Sequence, residues 1–272
     1  MSPLWRDEVG IFLGPRGAVL TRLQRGLHPR SVADRTLAVT DGRSNDWSQA
    51  LAAVGSELQE PSWQRANVRV VIADQWVRYA IAPWSRDLVD DDERLAHGKL
   101  ILQQVYGDEM RDWTVRLAET VSRRAQLVCA IPSQLKSEVE RVLATAGLRL
   151  LSLQPHLVVA FNRWRSRMSA AGGWFVTIDD GSLAAVRLER DSWEEVHCVR
   201  VGDDWSADLR RLQTFGRLAC GPPSDGCSVL VDAPPWLRRV ASARSEGLEW
   251  LESDGNGGGT LETLARIKES HA

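Results

Sequence analysis

Ile11-Phe12-Leu13-Gly14 with Val19-Leu20-Thr21-Arg22-Leu23-Gln24-Arg25, and Val176-Thr177-Ile178-Asp179 with Ala185-Val186-Arg187-Leu188-Glu189-Arg190, stand about 165 residues apart. Each reads as an apolar strand, a Gly-bearing turn and a second strand ending Arg-Leu-x-Arg. Similarity at a fixed spacing points to one supersecondary unit used twice. Each copy therefore opens its own α/β half.

Between the two hairpins the signals fall in a definite order. Arg35 to Thr40 supplies a third strand. Asn45 or Asp46 then caps a helix with Trp47, Ala50, Leu51, Val54 and Leu58 on one face, stopped by Pro61. Val68 to Ala73 is a β-branched run of the buried-strand type, which completes a β-β-β-α-β opening like that of ribonuclease H. Trp76 to Pro83 alternates like a half-buried strand. The acids Asp90 to Glu93 favour a helix start, where the positive end of the helix dipole lies, and the helix runs to about Val105. Trp113 to Leu117 and Ala125 to Ile131 close a small β-α-β-β insertion.

Ser133 caps the next helix, whose face is Leu135, Val139, Val142, Leu143 and Ala146 and whose stop is Gly147. A strand at Leu148 to Leu153 follows. Pro155 then opens a helix bearing Leu157, Ala160, Phe161 and Trp164. Ser169-Ala170-Ala171-Gly172-Gly173 reads as a hinge. Beyond the second hairpin, Val196 to Val201 is a third strand, Asp203 or Asp204 caps a helix carrying Trp205, Leu209 and Leu212, and Ser228 to Val231 is a last strand before Pro234-Pro235. The expected domains are a first lobe over 1–168 with its insertion at about 74–125, a shortened second lobe over 169–252, and a Gly-rich linker and tail over 253–272.

Composition narrows the function classes. With 272 residues, 43% hydrophobic and 26% charged, the chain has the make-up of a soluble globular protein. No apolar run reaches the length that spans a bilayer, and the N-terminus lacks the basic start and apolar core of a secretory signal, so a cytoplasmic location is expected. A net charge of -2 gives no basic field for nucleic acid or anionic lipid. Lys occurs only at Lys99, Lys136 and Lys268, which excludes much lysine-dependent chemistry. The 12 tryptophans follow no repeated motif and fit core and rim packing. Cys129, Cys198, Cys220 and Cys227 form no C-x-x-C pair and read as reduced thiols; no metal site is expected.

Three features together resemble the actin-like cytoplasmic proteins of type IV pilus and type II secretion systems, namely the PilM family and the cytoplasmic domain of the GspL family. They are the duplicated hairpins, the insertion beginning Val70-Val71-Ile72-Ala73-Asp74-Gln75-Trp76 and running to Trp84, and the run Ala130-Ile131-Pro132-Ser133 through Ala146-Gly147-Leu148 to Gln154-Pro155. The resemblance covers about residues 8 to 232. It implies a two-lobed, duplicated ribonuclease-H-like fold. It also implies a scaffold that holds the cytoplasmic tail of a bitopic inner-membrane protein, connects to the motor ATPase, and sits at the inner membrane through that partner.

In nucleotide-binding members of this fold each hairpin turn carries Asp-x-Gly, because the Gly lets backbone amides approach a phosphate and the acid orients Mg²⁺ or its water. Aligning Gly14 with that Gly puts Phe12 at the acid's place. The second turn keeps Asp179-Asp180-Gly181-Ser182, so Asp179, Gly181 and Ser182 form a vestigial phosphate turn; its plainer reading is a hairpin turn. Pro234-Pro235 stands where a Gly-Gly adenosine turn would fall. No bound cofactor and no catalytic residue are expected; ATP with Mg²⁺ at Asp179 and Gly181, as in an actin-like ATPase or sugar-kinase-like phosphotransferase, is the alternative. No Walker, Rossmann, zinc-protease or nucleophile-elbow motif is present, and His28, His97, His156, His197 and His271 are dispersed. By the resemblance, the partner's tail docks in a groove walled by Trp76, Trp84 and Trp113; the alternative is that these rings pack inside the lobe.

Overall fold

The computed structural model describes residues 6–25, 30–39, 46–118, 123–168, 172–179, 182–190, 192–200, 228–233 and 248–251. The described chain separates into two compact units, one within Met1–Ala73 and Gln134–Arg163, the other within Asp74–Ser133 and Trp164–Glu252.

The first unit is built on a five-stranded sheet. Strand β1 (Glu8–Gly14) pairs antiparallel with β2 (Gly17–Gln24), β2 with β3 (Arg30–Ala38), and β1 runs parallel to β4 (Asn67–Ile72), which is parallel to β8 (Arg149–Pro155). Strand β1 is buried along its whole length, as expected of a central strand whose two faces are covered, whereas the edge strand β3 is mostly exposed. Buried Glu8 is held at its carboxylate by Arg25 and Arg69, each at 2.7 Å, and Arg22 grips Asp7. The first Arg-Leu-x-Arg thus satisfies the acids that open β1.

Helix α1 (Ser48–Glu57) buries Ala50, Leu51 and Val54, matching the apolar face read from the sequence. Trp47 occupies the cap position without a side-chain cap bond, and Asp46 accepts from Ser48 one residue further along. Helix α3 (Ser133–Thr145) buries Leu135, Val139 and Leu143. Gly147 ends it at φ 69°, a left-handed conformation that costs glycine nothing. Helix α4 (His156–Trp164) follows β8 directly, and Pro155 is the last residue of that strand rather than the first of the helix.

The second unit repeats the first sheet. Strands β9 (Gly172–Ile178), β10 (Ser182–Glu189), β11 (Ser192–Arg200), β12 (Ser228–Asp232) and β13 (Glu249–Trp250) lie in the order β11-β10-β9-β12-β13, equivalent to β3-β2-β1-β4-β8. The copy extends to an irregularity. The β2–β3 register slips between Arg22 and Leu23, and the β10–β11 register slips between Arg187 and Leu188, exactly one repeat spacing later. Such bulges are built features rather than accidents, so their recurrence supports a true duplication. Gly172 and Gly173, expected as part of a hinge, instead lie in β9; Gly172 has φ 105°, and a Cβ there would overlap the Leu188 carbonyl of β10. Close strand approach therefore explains the glycine. The expected helix from Asp203 or Asp204 and the Pro234-Pro235 turn lie outside the described residues.

The same unit holds the small sheet β5-β7-β6, made of β5 (Arg78–Ala82), β6 (Trp113–Leu117) and β7 (Gln126–Pro132). Helix α2 (Asp91–Tyr106) covers it. Asp90 caps the helix by accepting from the Glu93 amide, and Glu93 reaches back in a full capping box. Leu102 from α2 joins Ala80, Val115, Val128 and Ala130 in a closed core. Trp76 lies in a single 3-10 turn, Asp74–Trp76, so the strand expected from Trp76 begins two residues later. Strand β11 packs beside β5, which joins the small sheet to the repeated one.

Candidate functional site

The turn between β9 and β10 positions Asp179, whose amide closes the hairpin on the Ser182 carbonyl at 3.0 Å. Its Oδ1 accepts from the Ser182 hydroxyl at 2.6 Å and the Ser182 amide at 3.2 Å, and its Oδ2 accepts from the Asp74 amide at 3.4 Å. Asp74, delivered by the 3-10 turn before β5, is 1% exposed. Its Oδ1 accepts from the Tyr79 hydroxyl at 2.5 Å and its Oδ2 from the Thr177 hydroxyl at 3.4 Å. Each of the four carboxylate oxygens thus accepts a hydrogen bond from this chain.

Burying two carboxylates is costly unless each is hydrogen-bonded, and this network supplies the donors. Its electrostatics agree. Burial first, then the adjacent Asp74 charge, hold the Tyr79 phenol well above its ordinary range, so it remains a donor. Burial likewise pushes the Cys129 thiol up to about 11 and raises Cys198 further, with Asp74 adding to both; neither is a nucleophile at neutral pH. Asp74 and Asp179 are carboxylates able to face a cation, yet their oxygens are already engaged in holding the turn. Asp180 and Gly181 lie outside the described residues.

The first hairpin contrasts with this. Gly14 pairs with Gly17 across the two-residue loop Pro15-Arg16. The same register in the second hairpin opposes Asp179 to Ser182, so Gly14 is the structural equivalent of Asp179, and Phe12 that of Thr177. The Phe12 ring is buried, lies edge-on to His156 at 5.7 Å, and would sit 2.8 Å from any Cβ placed on Gly14. An acidic side chain at Gly14 would collide with it.

The three tryptophans expected to wall one groove occupy different settings. Trp76 is 1% exposed and is part of the core. Trp113 is half-buried at the start of the edge strand β6, with the Arg78 guanidinium 5.2 Å from its ring centroid. Trp84 is exposed and lines an open groove of about 360 Å³ with Ser85, Arg86, Leu88, Arg94 and Arg123. Neither Trp76 nor Trp113 lines that groove. The buried Asp74–Tyr79–Thr177 triad was missed by sequence reasoning, although a polar Asp directly after the apolar run of β4 was its available signal.

Solved structures with the same arrangement decide the fold. A Bacteroides thetaiotaomicron protein described as having an actin-like ATPase fold superposes with a TM-score of 0.62 at 10% identity, over 97% of this chain and 99% of that one. The chain has an actin-like fold. Within this actin-like group, the cytoplasmic domain of EpsL, an inner-membrane component of the type II secretion system of Vibrio cholerae, matches at TM-score 0.59 and 9% identity over 98% of this chain and 96% of that one. A chain of the PilM-PilN type IV pilus biogenesis complex matches at TM-score 0.64 and 15% identity over 90% and 88%. No family model matches the sequence, and the search of curated proteins gave no match. Among the described residues no helix is long and apolar enough to cross a membrane.

Proposed function

We propose that this actin-like chain is a non-catalytic cytoplasmic scaffold of a type IV pilus or type II secretion-like inner-membrane assembly. The observation that carries the reading is the first hairpin turn, Gly14-Pro15-Arg16-Gly17, which has no acid where the repeat places Asp179. Actin-like nucleotide chemistry uses both turns to position phosphate and metal, so a turn without a carboxylate leaves that task half manned. The second turn spends its carboxylate on Ser182 and Asp74. On this reading the chain retains the duplicated frame, uses no nucleotide, and serves as a rigid support.

The partner is the cytoplasmic tail of a bitopic inner-membrane protein, through which the chain stays peripheral to the membrane, and a motor ATPase is the second expected contact. Supporting a tail site is the outer edge of β6, which no described strand pairs. An extended peptide can add there as a fourth strand, with Trp113 beside it as an apolar wall. Trp84 is available to a partner, whereas Trp76 is enclosed.

The test is direct binding of tail peptides from bitopic membrane proteins encoded beside this chain. One tail should bind, and Trp113→Ala should weaken it by about 2 kcal/mol, roughly thirtyfold, with the circular dichroism spectrum unchanged. Binding of no tail, or undiminished binding by the folded variant, contradicts the tail site.

A further inference from the structure

We propose that the groove beside the end of β5 is a docking site for an acidic peptide segment of a protein partner. It is lined by Trp84, Ser85, Arg86, Leu88, Arg94 and Arg123, so three of its six lining residues are arginines and none is acidic. Arg94 is bonded to Asp91 at 2.6 Å and to the Val89 carbonyl at 3.0 Å. Arg86 and Arg123 make no hydrogen bond or ion pair with any described residue. Arg94 therefore has its counter-charge in Asp91, while the Arg86 and Arg123 guanidiniums share one concave surface and raise the local concentration of anions there. Arg123 is also held at φ 68°, an uncommon left-handed conformation for a residue other than glycine.

The chemistry of the walls selects the occupant. A guanidinium offers a planar fork that matches a carboxylate, and Trp84, 43% exposed beside half-buried Leu88, offers an apolar face for a neighbouring side chain. A volume of about 360 Å³ accommodates a few side chains rather than a surface. Exposed Asp87, Asp90, Asp91, Asp92 and Glu93 flank the groove in the chain. Inside the groove itself the charged lining is arginine only, which a peptide carboxylate can reach as a single side chain. The inference rests on this groove alone and stands apart from the scaffold reading and from the β6 edge.

The test uses the full chain and two immobilised heptapeptide libraries, one with glutamate fixed at two positions and one with lysine fixed there. The chain should be retained by the glutamate library alone. Its best peptide should bind at least about tenfold more weakly at high salt than at low salt. Arg86→Glu and Arg123→Glu should each weaken that peptide about tenfold or more, and Trp84→Ala about fivefold, with unchanged circular dichroism. Should Arg123→Glu fail to fold, Arg86→Glu on the exposed lip still decides. Equal retention by both libraries, undiminished affinity in the folded charge reversal, or tighter binding to phosphatidylserine vesicles than to any peptide overturns the proposal.

Discussion

Replacing Tyr79 by Phe removes one oxygen from the buried network and keeps the ring that packs beside it. The hydroxyl donates to Asp74 Oδ1 at 2.5 Å, and both residues are nearly inaccessible, at 3% and 1% exposure. A hydrogen bond to a charged group contributes about 1.5–3 kcal/mol, and Tyr79→Phe removes one such donor from a buried carboxylate. Thr177 serves the other oxygen, at a longer 3.4 Å. The expected loss is therefore about 2 kcal/mol. Urea denaturation followed by circular dichroism should show a lower midpoint with an unchanged slope, since the surface exposed on unfolding is the same. A double-mutant cycle with Thr177→Val should show coupling of about 0.5 kcal/mol or more, because both donors serve one carboxylate. A Tyr79→Phe loss below about 0.5 kcal/mol would refute the claim that this hydroxyl secures Asp74.

Gly172→Ala should destabilise the second sheet by more than about 1 kcal/mol, because the new Cβ meets the Leu188 carbonyl at a backbone angle alanine avoids; a thermal midpoint equal to wild type would contradict that. Cys129 has its folded pKa raised by burial from 9.0 to about 11, so its contribution to stability is complete below pH 9 and is lost as pH rises toward 11. Urea midpoints measured across that window should fall for the wild type and fall less for Cys129→Ala. Leu102→Ala should cost about 2–5 kcal/mol, since Leu102 is fully enclosed in the small-sheet core, and a smaller urea shift would mean that core closes over the gap.

The elements written in period were legible. The apolar faces of α1 and α3, the acid-rich start of α2 and the paired hairpins follow from side-chain spacing, which local sequence records directly. The bulge shared by Arg22 and Arg187 was not legible, because register depends on which strand lies opposite. The same dependence hid the equivalence of Gly14 and Asp179, since counting from the nearest glycine gives Phe12 while pairing across the turn gives Gly14. The site residues were harder still. Asp74 and Asp179 are far apart in sequence, and only folding brings an amide of one to the carboxylate of the other. The tryptophans show the limit of composition: Trp76, Trp84 and Trp113 are chemically alike, yet burial separates them into core, groove and sheet edge.

The central claim, an actin-like frame without nucleotide chemistry, is tested most directly by isothermal titration of the purified chain with Mg-ATP, run beside a phosphate-release assay and an Asp179→Ala control. No binding heat above dilution, and release equal to that of the control, are expected. Saturable, magnesium-dependent binding with turnover that disappears in Asp179→Ala would contradict it.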